Sequence, residues 1–255
     1  MTLTPSSSTW ISCPKPNPQA DIRLFCFPYA GGGASLFRSW IGKLPVQIEV
    51  YLIQLPGREN RFLEEPYTTI TALVEDLAQQ IHPYLQGPFA CFGHSLGALV
   101  SFELARYLRV HALPQPQHLI VSACRAPQLP SPKPPIHALP DAEFIAALRL
   151  LEGTPEELLQ HEELMELMLP TLRADFSLYE TFSYHQEKPF TFPITIFGGK
   201  QDNEVTQEEL LAWQEQTTAV CKQYIFPAGH FFLHSEQTAV LQTLGEVLRV
   251  TTGRG

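Results

Sequence analysis

The chain has little that would tie it to a metal, a membrane or a nucleic acid. It contains no Cys-x-x-Cys pair, and its five cysteines, Cys13, Cys26, Cys91, Cys124 and Cys221, are odd in number and far apart. That spacing provides neither a zinc knuckle nor a disulfide framework. Reduced thiols packed as small hydrophobes are expected, which suits the cytoplasm. Charged residues make up only 17% and the net charge is −9, so a basic nucleic-acid footprint is missing, as is long-range attraction to an acidic partner. No apolar run is long enough to span a bilayer. The opening stretch, MTLTPSSSTWISCPKPNPQA, lacks the basic start and apolar centre of a signal peptide. Its serines and prolines read as a flexible arm over 1–20. What the chain does have is 44% hydrophobic residues in 255, enough for one large core and too many for a disordered chain.

Short apolar segments at 22–28, 46–56, 89–92, 118–124, 193–199 and 222–228 read as strands. Between them lie helical patterns through Trp40, at 68–85, from Ala98 to Arg109, at 206–218 and at 235–249. This alternation implies a mostly parallel sheet flanked by helices. One region breaks it. After Cys124 comes a proline-rich connector, RAPQLPSPKPPIHALP, then helical stretches near 141–151, 155–160 and 162–182, punctuated by Gly153 and Pro155. A strand-free insert at 125–190, between core segments 21–124 and 191–255, reads as a helical lid over the carboxyl edge of the sheet.

The most pointed local signal is FGHSLGA. Gly93, Ser95 and Gly97 form G-x-S-x-G where the strand ends and the helix begins, the pattern of a nucleophile elbow. Glycines on either side of a sharp turn let two backbones approach, because no Cβ intervenes. A plain βα turn with Ser95 as helix cap would have the same pentapeptide. The rest of the chain must therefore supply an acid, a base and an oxyanion hole.

After Ser95 the only aspartates are Asp141, Asp175 and Asp202. Asp141, after Pro140, reads as a helix N-cap, and Asp175 falls inside the insert. Asp202 lies in FGGKQDNEV, just past a strand, where such sheets build their crevices; Glu204 is the fallback. In FPAGHFFLHSE, His230 follows a strand and a glycine, whereas His234 sits near the start of the closing helix. His230 is the expected base, oriented by Asp202. His94, beside the serine, is expected to pack or bond locally. The oxyanion donors are expected from the amide of Leu96 and from the loop FPYAGGGAS, at Ala30 or alternatively Gly31.

The motifs CFPYAGGGASLFRSW, LPGRENR, FGHSLGA, LPTLRADF, FGGKQD and FPAGHFFL occur in the order seen in type II thioesterases, and the chain resembles that family from about Leu24 to Leu248. The resemblance implies an α/β-hydrolase fold with Ser95, Asp202 and His230 as catalytic triad, Ala30 and Leu96 as oxyanion donors, and a mobile lid within 125–190. It implies an enzyme that needs no cofactor and either clears acyl groups from the phosphopantetheine arm of carrier domains of a nonribosomal peptide or polyketide synthase or releases a finished chain; a monomer is expected. Where some synthase-embedded thioesterases carry the acid, this chain reads SACRAPQ, which sends the acid on to Asp202. From the residues alone, a general esterase or a silent hydrolase scaffold shares the same machinery. Arg58 and Arg61 are expected to pair with Glu59, Glu64 or Glu65, and Arg173 and Asp175 to form structural ion pairs, rather than to bind substrate.

Overall fold

The computed structural model describes residues 9–151, 153, 156–251 and 253. Seven segments rich in apolar residues pair into one sheet: β1 (Ile11–Ser12), β2 (Ile22–Phe27), β3 (Ile48–Ile53), β4 (Phe89–His94), β5 (His118–Ser122), β6 (Ile194–Gly199) and β7 (Cys221–Phe226). Their spatial order is β1-β3-β2-β4-β5-β6-β7, parallel throughout except for β1. The chain first steps from β2 outward to β3, then returns to place β4 on the other side of β2. That reversal opens a crevice at the carboxyl ends of β2 and β4.

Among the described residues, eight α-helices accompany the sheet: α1 (Ile70–Ile81), α2 (Leu96–Val110), α3 (Asp141–Leu150), α4 (Glu156–Leu159), α5 (Glu162–Glu180), α6 (Gln207–Leu211), α7 (Phe232–Ser235) and α8 (Gln237–Thr251). Helices α1 and α2 bury Leu73, Leu77, Leu104 and Leu108 against Phe25, Phe89 and Leu119 on one face. On the other, α8 and a 3-10 turn at Ala34–Trp40 bury Leu241, Leu244, Phe37 and Trp40 against Leu24, Phe92 and Ile120. Coverage on both sides explains why Phe89 to Phe92 show no polar alternation.

The insert has a small core of its own, in which Phe144, Leu148, Leu159, Met165, Leu169 and Leu172 pack together. No helix among the described residues is long and apolar enough to cross a membrane.

Three expectations need correction. The arm predicted over 1–20 is anchored at Trp10 and Ile11, which are buried, with Ile11–Ser12 paired to Ile53 and Leu52. Two large apolar side chains gain more from burial than a short tether loses in freedom. The arm's first eight residues, like Pro155, lie outside the described residues. Asp141 is the first residue of α3 and not its cap; the cap position is Pro140, and the Asp141 carboxylate instead bonds Arg173 at 2.5 Å. Arg58 pairs across the fold with Asp175 and not with a nearby glutamate, whereas Arg61 does pair with Glu64.

Candidate active site

Ser95 sits between the last residue of β4 and the first of α2, with φ 52 and ψ −117. A side chain other than glycine at positive φ is strained, and such strain persists only where the surroundings over-determine it. Here they do. A Cβ on Gly93 would overlap the Gly97 backbone, and one on Gly97 would overlap the Phe27 carbonyl. Neither glycine has positive φ. They are needed for close approach alone.

Ser122 grips the turn from β5. Its carbonyl accepts the Ser95 amide at 2.8 Å, and its hydroxyl lies 2.9 Å from His94 Nδ1. Burial, reinforced by His230 and His234, pushes the His94 pKa well below the usual imidazole range, so this ring stays neutral.

Asp202 follows β6 and His230 follows β7, both at the carboxyl edge. The Asp202 side chain is 0% exposed and that of His230 12%. Asp202 Oδ2 meets His230 Nδ1 at 2.9 Å, while Oδ1 accepts the amides of Glu204 at 2.8 Å and Val205 at 3.1 Å. The carboxylate is thus fixed by its own loop and aims one oxygen at the imidazole. Glu204, the fallback acid, is occupied elsewhere, with Oε2 2.6 Å from Lys133 Nζ. The His230 ring stands 5.5 Å from that of His94 beside the serine, centre to centre.

Leu96 opens α2, where an amide has no carbonyl of its own helix to reach. The second expected donor loop follows β2. Its alternative donor, the Gly31 amide, is already committed: it donates to Asp175 Oδ2 at 2.6 Å. Ala30, one residue earlier, makes no backbone hydrogen bond among the described residues. The Gly31 amide is thus occupied, whereas that of Ala30, the expected donor, has no such partner.

Besides Asp175, two further contacts bring the helical insert to this edge. Leu172 of α5 presses on Gly31, where a Cβ would lie 2.6 Å from its Cδ2. Gly153 sits against Phe231, whose ring stands edge-on to His230 at 5.0 Å. Sequence reasoning also missed a tie between Tyr29 and His234, whose hydroxyl and Nε2 are 3.0 Å apart. Burial raises the Tyr29 pKa to about 12 and lowers that of His234, so both are neutral partners at pH 7. The two residues are 205 apart in the chain, and no local pattern hinted at the contact.

Comparison with known proteins supplies the family. A family model described as a thioesterase domain matches residues 22–248. The gramicidin S biosynthesis protein GrsT of Aneurinibacillus migulanus is 47% identical over 250 residues, covering 98% of each chain. The linear gramicidin dehydrogenase LgrE of Brevibacillus parabrevis is 47% identical over 247 residues, 96% of this chain and 94% of that one. Among solved structures, the type II thioesterase BorB from the borrelidin biosynthetic cluster aligns with a TM-score of 0.87 at 35% identity, covering 96% of this chain and 99% of its own. The sheet order, the elbow and these matches lead to one assignment: the chain belongs to the thioesterase family, on an α/β-hydrolase fold.

Proposed function

We propose that this chain is a serine thioesterase that hydrolyses acyl thioesters from the phosphopantetheine arm of carrier domains in a nonribosomal peptide or polyketide synthase. Ser95 is the nucleophile, His230 the general base and then acid, and Asp202 the orienting carboxylate. The observation that carries this reading is the 2.9 Å contact between the fully buried carboxylate of Asp202 and His230, at the sheet edge that holds the strained Ser95.

The chemistry follows from the placement. Ser95 Oγ attacks the thioester carbonyl carbon while His230 Nε2 removes its proton, and Asp202 stabilises the imidazolium through Nδ1. Negative charge gathers on the former carbonyl oxygen, where the amides of Ala30 and Leu96 donate. When the tetrahedral intermediate collapses, the C–S bond breaks and the pantetheine sulfur leaves with the proton held by His230. Water then repeats the sequence on the acyl-serine, with His230 taking its proton, and a free carboxylic acid departs. Side chains, backbone amides and water suffice for every step. The dehydrogenase in one relative's name would call for a dinucleotide loop, but the loop after β2 runs AGGGASL and lacks the third glycine of that fingerprint.

In the same reading the insert at 125–190 serves as a lid, supported by the contacts of Leu172 and Gly153 at the site. The partner is a carrier domain, and the enzyme works as a cytoplasmic monomer. Comparing kcat/KM for acyl-carrier protein, acyl-coenzyme A and nitrophenyl esters of one acyl group tests the substrate class. The carrier-bound thioester should be preferred at least tenfold. Equal or better turnover of the oxoester would instead favour a general esterase.

A further inference from the structure

The centre of α5 contains a carboxylate that does more than pair with a cation. Asp175 is 1% exposed, and its two oxygens accept both ends of the Arg58 guanidinium, at 2.6 and 2.8 Å. The same Oδ2 also accepts the Gly31 amide at 2.6 Å. Arg58 in turn donates to the Gly32 carbonyl at 3.1 Å and to the Pro56 carbonyl at 3.0 Å. The loop after β2 is therefore held on consecutive residues, by the carboxylate at an amide and by the guanidinium at a carbonyl. Gly31 has φ 75, a conformation with no stiffness of its own, and Leu172 fills the space where a Cβ would stand.

A buried ion pair is weak support for stability, because desolvating two charges offsets most of their attraction. The third hydrogen bond is what needs a reason. The peptide that joins Ala30 to Gly31 is pinned by Asp175, and it shares the Ala30 Cα with the peptide whose N–H is the proposed oxyanion donor. We infer that Asp175 is a positioning residue for the oxyanion hole: from the helical insert, it fixes the Gly31 amide and so aims the Ala30 amide at the developing oxyanion. This inference rests on Ala30 being that donor. It also makes formation of the hole conditional on α5 being seated, because one carboxylate belongs to the insert and to the site at once.

Two double variants separate aim from stability. Arg58→Met with Asp175→Leu replaces the ion pair by apolar bulk and leaves Gly31 without an acceptor. Arg58→Met with Asp175→Asn removes both charges and keeps an amide oxygen for Gly31. The Leu variant should lose at least about tenfold in kcat, short of the roughly 10²–10³ expected when a donor is deleted outright, with KM within about threefold. In the same Arg58→Met background, Asn should recover most of that loss. The inhibition constant of an alkyl boronic acid, which adds to the serine and places an oxygen in the hole, should rise with the fall in kcat. If the Leu variant does not fold, Arg58→Met with Asp175→Ala supplies the same comparison against Asn. Equal kcat in the acceptor-free and Asn variants overturns the inference. If the wild-type enzyme fails to label at Ser95 with a fluorophosphonate, the triad reading falls as well, and the two failures are told apart.

Discussion

Gly97 and Phe27 meet backbone to backbone, so closely that a Cβ at position 97 would overlap the Phe27 carbonyl oxygen. Position 97 lies in the first turn of α2, where alanine would ordinarily stabilise a helix by about 1 kcal/mol over glycine. The contact reverses that sign. Gly97→Ala should destabilise by about 3 kcal/mol, the upper end of overpacking costs, because a β-strand backbone cannot turn aside as a side chain can. Moving the start of α2 also moves the Leu96 amide, so kcat should fall at least tenfold. Urea unfolding and steady-state kinetics on one sample check both, and a neutral or stabilising alanine would refute the packing argument.

Replacing Asp202 by asparagine keeps the shape of the side chain and removes the charge that fixes the His230 tautomer. Asp202→Asn should lower kcat by roughly 10⁴ if the triad template transfers. Glu204→Gln, which only loosens a pair with the half-exposed Lys133, should leave kcat within about twofold. The opposite ranking would move the acid to Glu204.

His118 offers a test of stability against pH, away from the site. Its ring is buried between Thr251 and Thr195, with Nδ1 2.7 Å and Nε2 2.8 Å from their hydroxyls. Burial, with a smaller contribution from Lys222, lowers its pKa from 6.5 to about 4. Below pH 6.5 the unfolded chain takes up a proton that the folded chain refuses, so stability rises with pH between about 4 and 6.5 and is complete above it. As the pH falls through this window the wild type should lose a few kcal/mol more than His118→Gln does. Parallel stability curves for the two proteins would exclude the effect.

Acidic composition predicts how a partner docks. With a net charge of −9, the enzyme has no overall field to attract an acidic carrier domain, so recognition should depend on local contact around the pantetheine arm. From low salt to about 0.3 M, where the screening length drops below about 10 Å, kcat/KM on acyl-carrier protein should change less than tenfold. A steeper fall would reveal a basic docking patch hidden by the net charge.

The legible parts of the molecule are those encoded within a few residues. FGHSLGA identifies the elbow because the crowding that demands Gly93 and Gly97 is set by a strand, a turn and a helix in direct succession. Asp202 and His230 are expected together from their places just past strands, since parallel sheets put such loops at one edge, and their side chains do meet there. The Arg58–Asp175 pair spans 117 residues and leaves no local trace, so Arg58 was assigned to nearby glutamates. The sequence favours Ala30 over Gly31 as donor, but the distant carboxylate that occupies the Gly31 amide is equally invisible in it. Trp10 was missed for a related reason. Its neighbours have the composition of a loose arm, yet the Arg61 guanidinium 4.0 Å from its ring centroid, the Tyr67 ring at 5.9 Å and the Gln54 amide, which donates to its carbonyl at 2.8 Å, hold it in place.

The central claim is that the acyl group passes through Ser95. Mixing enzyme with stoichiometric acyl-carrier protein, quenching within one turnover and mapping the digest by mass spectrometry tests it most directly. The peptide spanning Phe89 to Arg106 should gain the acyl mass at Ser95 and lose it as free acid appears, while Ser95→Ala should show neither adduct nor more than about a tenth of wild-type turnover. Hydrolysis that proceeds with no adduct at Ser95, and survives its replacement by alanine, would contradict the account.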